Sequence, residues 1–436
     1  MGGGREDRAG VRYIDIRYSP LPSQRRFHAA KARFKGFSGP IGSGKSQALC
    51  QEALRLTYLN PGRTGLLGAP TYPMLRDATQ AAFIEVLESN GIGFELNKAE
   101  QVLTLEYTRS RILFRAVEEF DRLRGTNLAW FGVDELSYAP EEAWLRLEGR
   151  LRDPKASRLC GFAVWTPKGR DWVWRRFIDR RRDGYDVTLA KAFENRFVLA
   201  RIPDFYERLR SSYDERFFAQ EVLGEYIQSG DGAVYHAFDR VRHVEPLDLD
   251  PSRPLLWALD FNVTPMSSVI AQKVGEEVRV LDEIVLRQAT TTQACEEFLR
   301  RYGRHRAGFV IYGDASGQHM QTSGSSDYQL LREALLRAGV WEFQYRVPKA
   351  NPAVRERTNL VNSMLSNAAG TARLRIDARC KELIKDFEEV EYKPGSGVID
   401  KERDPARTHV SDALGYLVWQ EFAKRVITGE QPGRLL

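Results

Sequence analysis

Residues 39–46 read Gly39-Pro40-Ile41-Gly42-Ser43-Gly44-Lys45-Ser46 and satisfy every fixed position of the pattern G-x-x-x-x-G-K-[ST]. Such a loop works only between a strand and a helix, and both are at hand. Arg33–Ser38 can enter as the strand, and Gln47–Leu54 reads as the helix that follows. Gly39, Gly42 and Gly44 let the backbone wrap a chain of phosphates. Amide N–H groups, Ser43's included, and the helix N-terminus face the negative charge. Lys45 reaches the terminal phosphates, and Ser46 offers its hydroxyl to Mg²⁺. The expectation is an ATP site in an α/β domain.

The 436-residue length suits two domains, and an apolar content of 42% is ample for their cores. No run of about 18 apolar residues spans a membrane. The start, Met1-Gly2-Gly3-Gly4-Arg5-Glu6, lacks a signal peptide's apolar core. Cys50, Cys160, Cys295 and Cys380 lie far apart and read as buried small hydrophobes in a reducing cytoplasm. The net charge of +6 is compatible with an anionic polymer as partner.

Up to Tyr226, strand-like runs alternate with helical stretches: residues 65–70, 111–115, 128–133 and 161–165 are the strand candidates. Residues 227–253 begin with a turn-rich stretch and read as a linker, and a second alternating set starts at Pro254. The expected domains are 1–226 and 254–436.

The first half carries a second signature of triphosphate hydrolysis. The apolar run Leu128–Val133 ends in Asp134-Glu135. Asp134 would hold Mg²⁺ through water, and Glu135 would orient and deprotonate the attacking water. Gln24, about 20 residues before the loop, either hydrogen-bonds the adenine edge or faces solvent. Thr166 either senses the terminal phosphate or belongs to a plain turn. Arg124 is either an arginine finger for a neighbouring subunit or part of a salt bridge. Trp172, Trp174 and the basic residues 175–182 suit a DNA phosphate track or subunit contact, or else an amphipathic helix with its aromatics in the core.

The second half has carboxylates at the ends of its elements. Leu255–Asp260 and Gly308–Asp314 are strands ending in Asp, residues 267–274 and 278–286 form a hairpin, and an apolar helix opens at His409 with Asp412 one turn on. Clustered carboxylates bind two divalent ions, Mg²⁺ or Mn²⁺, for phosphodiester cleavage. Asp282 and Glu283 either add a further ligand or face outward.

In this order the motifs resemble those of the large terminase subunits of tailed bacteriophages. The resemblance runs from about Leu21 to about Tyr416. It implies an N-terminal P-loop (ASCE, RecA-like) ATPase domain followed by a C-terminal ribonuclease-H-like nuclease domain. It further implies Gln24 at adenine, Arg124 as the trans-acting finger, Thr166 as the coupling residue, and Asp260, Asp314 and Asp412 as metal ligands. Glu391–Ile399 resembles the hairpin beside the family's nuclease site. The implied function is ATP-driven packaging of double-stranded DNA into a procapsid, with DNA cleavage. The implied partners are portal protein and a small terminase subunit. The implied state is a monomer in solution and a ring, usually of five, on the portal, in the host cytoplasm and outside the mature virion. His409-Val410-Ser411 precede Asp412 where the family often has more acidic residues, which leaves His409's part in metal binding open. The nearest alternative, a helicase with a fused nuclease, needs a second RecA-like lobe in the C-terminal half.

Overall fold

The computed structural model describes residues 16–118, 125–227, 232–262, 264–319, 325–393, 398–405 and 407–427, together with the paired short strands Arg5–Glu6 and Arg12–Tyr13. Its contacts divide the chain into two compact units. One runs to Tyr206 and takes in Ala219–Gln228, and the other comprises Glu207–Phe218 and the chain from Ser229 onward.

The first unit is built on eight strands: β1 (Phe34–Ser38), β2 (Thr64–Ala69), β3 (Phe94–Asn97), β4 (Val102–Leu105), β5 (Arg111–Ala116), β6 (Trp130–Val133), β7 (Cys160–Trp165) and β8 (Tyr185–Leu189). Their order is β8-β1-β7-β6-β2-β5-β4-β3. The pairs from β8 to β5 are parallel, and β3 and β4 close one edge antiparallel. Parallel strands are covered on both faces, so β6 and β7 are buried at every residue. Two cross-strand pairs interlock glycine with an aromatic ring. Gly65 lies opposite Trp130, and Gly161 opposite Phe131. A Cβ on either glycine would stand 2.0 Å and 2.5 Å from those rings, so only glycine admits them.

Helices α1 (Pro22–Ala29), α2 (Lys45–Leu59), α3 (Ala81–Ser89) and α4 (Glu141–Arg150) belong to this unit. Between α1, β1 and α2 lies an ion pair with no solvent exposure, Lys35 Nζ to Glu52 Oε1 at 2.6 Å. His28 Nδ1 stands 2.7 Å from the other carboxylate oxygen. Burial pushes Glu52 up, yet the hydrogen bonds from His28 and Lys35 outweigh it and hold its pKa below the ordinary value. In the Trp172–Arg182 stretch Val173 and Phe177 are buried, and Arg176, also buried, donates to Glu141 at 2.7 Å, while Arg175 and the arginines at 180–182 are exposed.

The second unit has six strands: β9 (Leu255–Asp260), β10 (Met266–Val274), β11 (Glu277–Leu286), β12 (Phe309–Gly313), β13 (Phe343–Tyr345) and β14 (Leu374–Ile376), in the order β13-β12-β9-β10-β11-β14. β9, β10 and β11 are antiparallel neighbours and the other pairs are parallel. This is a mixed sheet, not a second parallel motor lobe. Helices α5 (Thr291–Tyr302) and α6 (Asp327–Arg337) cover one face, where Trp257 stacks on Phe298 at 3.8 Å. Helices α7 (Val354–Leu365), α8 (Lys381–Glu389) and α9 (His409–Ile427) cover the other.

Strand alternation then places the carboxylates. Leu256 and Ala258 on β9, and Val310 and Tyr312 on β12, belong to the core that α7–α9 cover. With a period of two, Asp260 and Asp314 fall on that same face, at neighbouring strand ends.

The stretch expected as a linker is structured where it is described. Val234 and Tyr235 are buried in the second unit, and Val234 N–H donates to Val390 O at 2.8 Å. The glycines near residue 230 read as a break, but the apolar residues just beyond them have a core to enter. Earlier in the chain, Asp214 of the Glu207–Phe218 segment is buried and lies 3.0 Å from His236 Nε2.

Asp386 on α8 is buried, accepts from Ser411 N–H at 3.1 Å, and is pushed up to about 6 by burial. A carboxyl whose folded pKa exceeds its unfolded value of 3.8 favours the fold most below the unfolded value. That contribution is lost as pH rises through the folded value. Asp386→Asn should therefore flatten the stability profile between about pH 4 and 6, by on the order of 2–3 kcal/mol relative to the wild type. Urea unfolding across that range checks it.

Candidate active sites

In the first unit, the sheet order β1-β7-β6 places the P-loop, Thr166 and Asp134-Glu135 at the same end of adjacent strands. Lys45 Nζ donates to Gly39 O at 3.1 Å and Pro40 O at 3.2 Å, across the mouth of the loop, and lies 3.9 Å from Glu135 Oε1. Gly42 and Gly44 hold φ of 73° and 82°, the left-handed region that glycine takes without strain. Ser43 Oγ is buried with no partner among the described residues, a donor left over for a phosphate oxygen. Ser46 is exposed in the first turn of α2.

Asp134 is buried. Its Oδ2 accepts from Thr79 Oγ1 at 2.9 Å, and its Oδ1 from Glu135 N–H at 3.0 Å. Burial, then the neighbouring Glu135 charge, pushes it up to about 6. A cation bound nearby would oppose both effects and favour the charged carboxylate. Glu135 adopts φ 44°, ψ 50°, unusual for a non-glycine residue. Its Oε2 accepts from Thr166 N–H at 3.3 Å.

Gln24 is not solvent-facing. It is 3% exposed, its Nε2 donates to Gly44 O at 2.9 Å and its Oε1 accepts from Leu21 N–H at 2.8 Å. In this state the amide ties α1 to the P-loop. Arg124 lies outside the described residues.

Four supports were not legible in the sequence. Asn195 Nδ2 donates to Gly42 O at 2.5 Å. Glu221 O accepts from Ile41 N–H at 2.7 Å, and Tyr226 OH bridges Ser38 Oγ and Trp165 Nε1 at 2.6 and 2.8 Å. Thr79 sits in a π-helical turn, Leu75–Gln80, just before α3. Such turns recur at functional sites, but a lone Thr carries no sequence signal. Thr79→Val should leave Asp134 short of a hydrogen bond, raise its pKa further and raise the KM for MgATP by roughly tenfold. Steady-state ATPase assays over a Mg²⁺ series check this.

In the second unit, Asp260 Oδ2 lies 2.8 Å from His409 Nδ1. Asp260 is raised by burial first and then by Asp412 and Asp314, with the His409 hydrogen bond opposing. Asp260 therefore feels the charge of both other aspartates. The Asp260 contact raises His409 in turn. Asp314 caps the turn that follows β12, accepting from Gly317 N–H at 3.0 Å and from Ser316 Oγ. Asp412 is buried against Arg357 Nη2 and lies 3.2 Å from Lys401 Nζ. Among the described residues no group of three His, Cys, Asp or Glu stands close enough to hold a metal ion as it is.

Asp282 pairs with Arg301 and Tyr302, at 2.8 and 2.7 Å. Glu283 accepts from Glu382 and Leu383 N–H at the start of α8. Both carboxylates are thus engaged away from the three aspartates. Tyr392 and Ile399 pair antiparallel, while 394–397 lie outside the described residues. The four cysteines are buried and free. No helix of the described residues is long and apolar enough to cross a membrane.

Residues 37–242 match the family model described as terminase large subunit, T4likevirus-type, N-terminal. The chain is 27% identical over 198 residues to the PBSX phage terminase large subunit of Bacillus subtilis (strain 168), covering 44% of each. It is 28% identical over 221 residues to the terminase large subunit of Thermus virus P23-45, covering 45% of this chain and 43% of that protein. The matches thus span less than half the length of these curated relatives. In structure the chain is similar to the large terminase of the thermophilic bacteriophage D6E, with a TM-score of 0.66 and 16% identity over 92% of this chain and 99% of that one. At that identity the likeness is one of fold. The chain is thus similar in sequence to terminase large subunits along its N-terminal half, and similar in fold to a large terminase along nearly all its length.

Proposed function

We propose that this chain is a DNA-packaging motor: ATP hydrolysis in the first unit drives double-stranded DNA into a procapsid, and the second unit cleaves that DNA by metal-assisted hydrolysis. The observation that carries the reading is the meeting of Lys45, Asp134, Glu135 and Thr166 around one P-loop. In the other unit, Asp260 and Asp314 end neighbouring strands on the sheet face that α9, the helix of Asp412, covers. The D6E large terminase has been solved with ADP and with ATP-gamma-S, which favours ATP as the ligand here.

On this reading Lys45 leaves the loop carbonyls for the terminal phosphates, and Ser43 and the loop amides bind the others. Gln24 serves adenine with the amide hydrogen it has not given to Gly44. Glu135 orients the attacking water and takes its proton, and Thr166 N–H on Glu135 lets the base and the DNA-moving parts respond to one another. Mg²⁺, held by Ser46 and Asp134, would neutralise charge on the transferring phosphoryl group. Arg124 of a neighbouring subunit would stabilise the same charge.

In the second unit the donor set fits hard divalent cations. It consists of carboxylates on one sheet face, and the buried Ser267 hydroxyl opposite Asp260 has no partner among the described residues. Asp260, Asp314 and Asp412 would hold Mg²⁺ or Mn²⁺, which activates water and stabilises the leaving oxygen. The partners that follow are double-stranded DNA, a portal protein and a small terminase subunit. The chain would be a monomer in solution and a ring of five on the procapsid, in the host cytoplasm.

The purified chain should nick and linearise plasmid DNA with Mn²⁺ and no ATP. Asp260→Asn should lower this at least about 100-fold and leave ATPase activity in place, whereas Lys45→Ala should do the reverse. Undiminished cutting by Asp260→Asn would sink the nuclease assignment. ATPase activity retained by Lys45→Ala would sink the motor assignment.

A further inference from the structure

The cations around Asp412 are unexpected for a centre that must attract cations from solution. Arg357, on α7, places Nη2 on Asp412 Oδ1, with both side chains almost fully buried at 5% and 8% exposure. The guanidinium is held from two further sides. It lies 4.2 Å over the Tyr416 ring, and its stem runs against Gly415, where a Cβ would stand 2.8 Å from Arg357 Cγ and Cδ. Gly415 therefore leaves the groove that the arginine fills. The other oxygen, Asp412 Oδ2, faces Lys401 Nζ at 3.2 Å, and Lys401 is 53% exposed. A guanidinium does not deprotonate in proteins, so its charge is permanent, while a half-exposed ammonium on a flexible stem is exchangeable.

The geometry points to Arg357 as a resident counter-cation of the nuclease centre. It permanently occupies one oxygen of Asp412, so the free protein takes one divalent ion rather than two, and that ion enters by displacing Lys401. The inference rests on the nuclease reading above. Arg357 acts through Asp412 and is a positioning residue. Two charges within about 4 Å at a protein surface interact strongly enough to alter cation affinity by an order of magnitude or more. Removing either cation should therefore be visible in metal binding itself, without any turnover.

The test is Mn²⁺ titration of the full chain without nucleotide or DNA, read by the EPR signal of free Mn²⁺. Wild type should bind one ion that Asp260→Asn or Asp314→Asn removes. Arg357→Met should bind a second, and Arg357→Lys, which keeps the charge, should stay at one. Lys401→Gln should still bind one ion, about tenfold more tightly. Because Arg357 is buried, its Met variant needs a wild-type melting curve to count. Lys401→Gln removes a half-exposed side chain and tests the same electrostatics whether or not Arg357→Met folds. Two ions on the wild type, or one on a folded Arg357→Met, would overturn the role of Arg357. Unchanged affinity in Lys401→Gln would overturn the displacement step. If Asp260→Asn and Asp314→Asn leave Mn²⁺ binding untouched, the nuclease reading itself fails. If they abolish it while Arg357→Met behaves as wild type, only the counter-cation falls.

Discussion

Glu135→Gln should bind ATP with wild-type affinity and hydrolyse it about 10²- to 10⁴-fold more slowly, the range that a positioned general base supplies. The substitution is close to isosteric. A Gln side-chain oxygen still accepts from Thr166 N–H, and the left-handed backbone at residue 135 is unaffected. What is lost is the capacity to take a proton. A non-glycine residue in that region of φ and ψ costs on the order of 1–3 kcal/mol, and the carboxylate it aims lies between Lys45 and Thr166. Nucleotide binding by fluorescence and phosphate release in a single-turnover experiment separate the two effects. Normal turnover would mean that the base lies elsewhere. Asp134, with its pKa pushed up to about 6, would be the next to examine.

The second large effect is on stability. Glu52→Ala should destabilise the first unit by about 3–5 kcal/mol, the cost of leaving a buried charge without its partner. Lys35 would keep its bond to Phe27 O at 3.0 Å and its place 4.7 Å over the Phe27 ring, but no counter-charge within the core. The double change Lys35→Met with Glu52→Leu should recover most of the loss, because removing both charges removes the desolvation cost as well. Urea denaturation of the three variants gives the comparison, and equal losses in the single and double variants would show that packing, not charge, is at stake. The pH dependence has a definite sign. Glu52 is held below its ordinary pKa, so its contribution is present above the unfolded carboxylate value and lost as pH falls through the folded one. Because the network anchors α1, whose Gln24 is bonded to the P-loop, the single variant should also bind ATP less well.

How far each site could be read in advance depends on how local its chemistry is. The P-loop is contiguous, its glycines have a backbone reason to be there, and its flanking strand and helix follow from hydrophobic pattern alone. Asp134-Glu135, Asp260 and Asp314 were legible because each ends an apolar run, and in an α/β sheet strand ends are where polar groups can gather. Edge strands such as β3, β8 and β13 were not, since they are short and only partly covered. The linker expectation failed to foresee Val234 and Tyr235 in a core, because a glycine-rich turn looks the same whether a tether or a buried turn follows it.

Local pattern alone specified two α/β halves, a G-x-x-x-x-G-K-[ST] loop between strand and helix in the first, and aspartates at element ends in the second. Those features depend on neighbours within a few residues and on periods of 2 and 3.6. Only the tertiary structure could bring Thr79 to Asp134 across 55 positions, Asn195 to Gly42 across 153, or Arg357 to Asp412 across 55. Contacts at such separations follow from strand order and helix packing, so single polar residues that make them carry no mark in the chain itself. The same holds for Gln24 and Asp412. Pattern marked each as a site residue, but the fold set the partners they now hold: the backbone of the P-loop for one, two cations for the other.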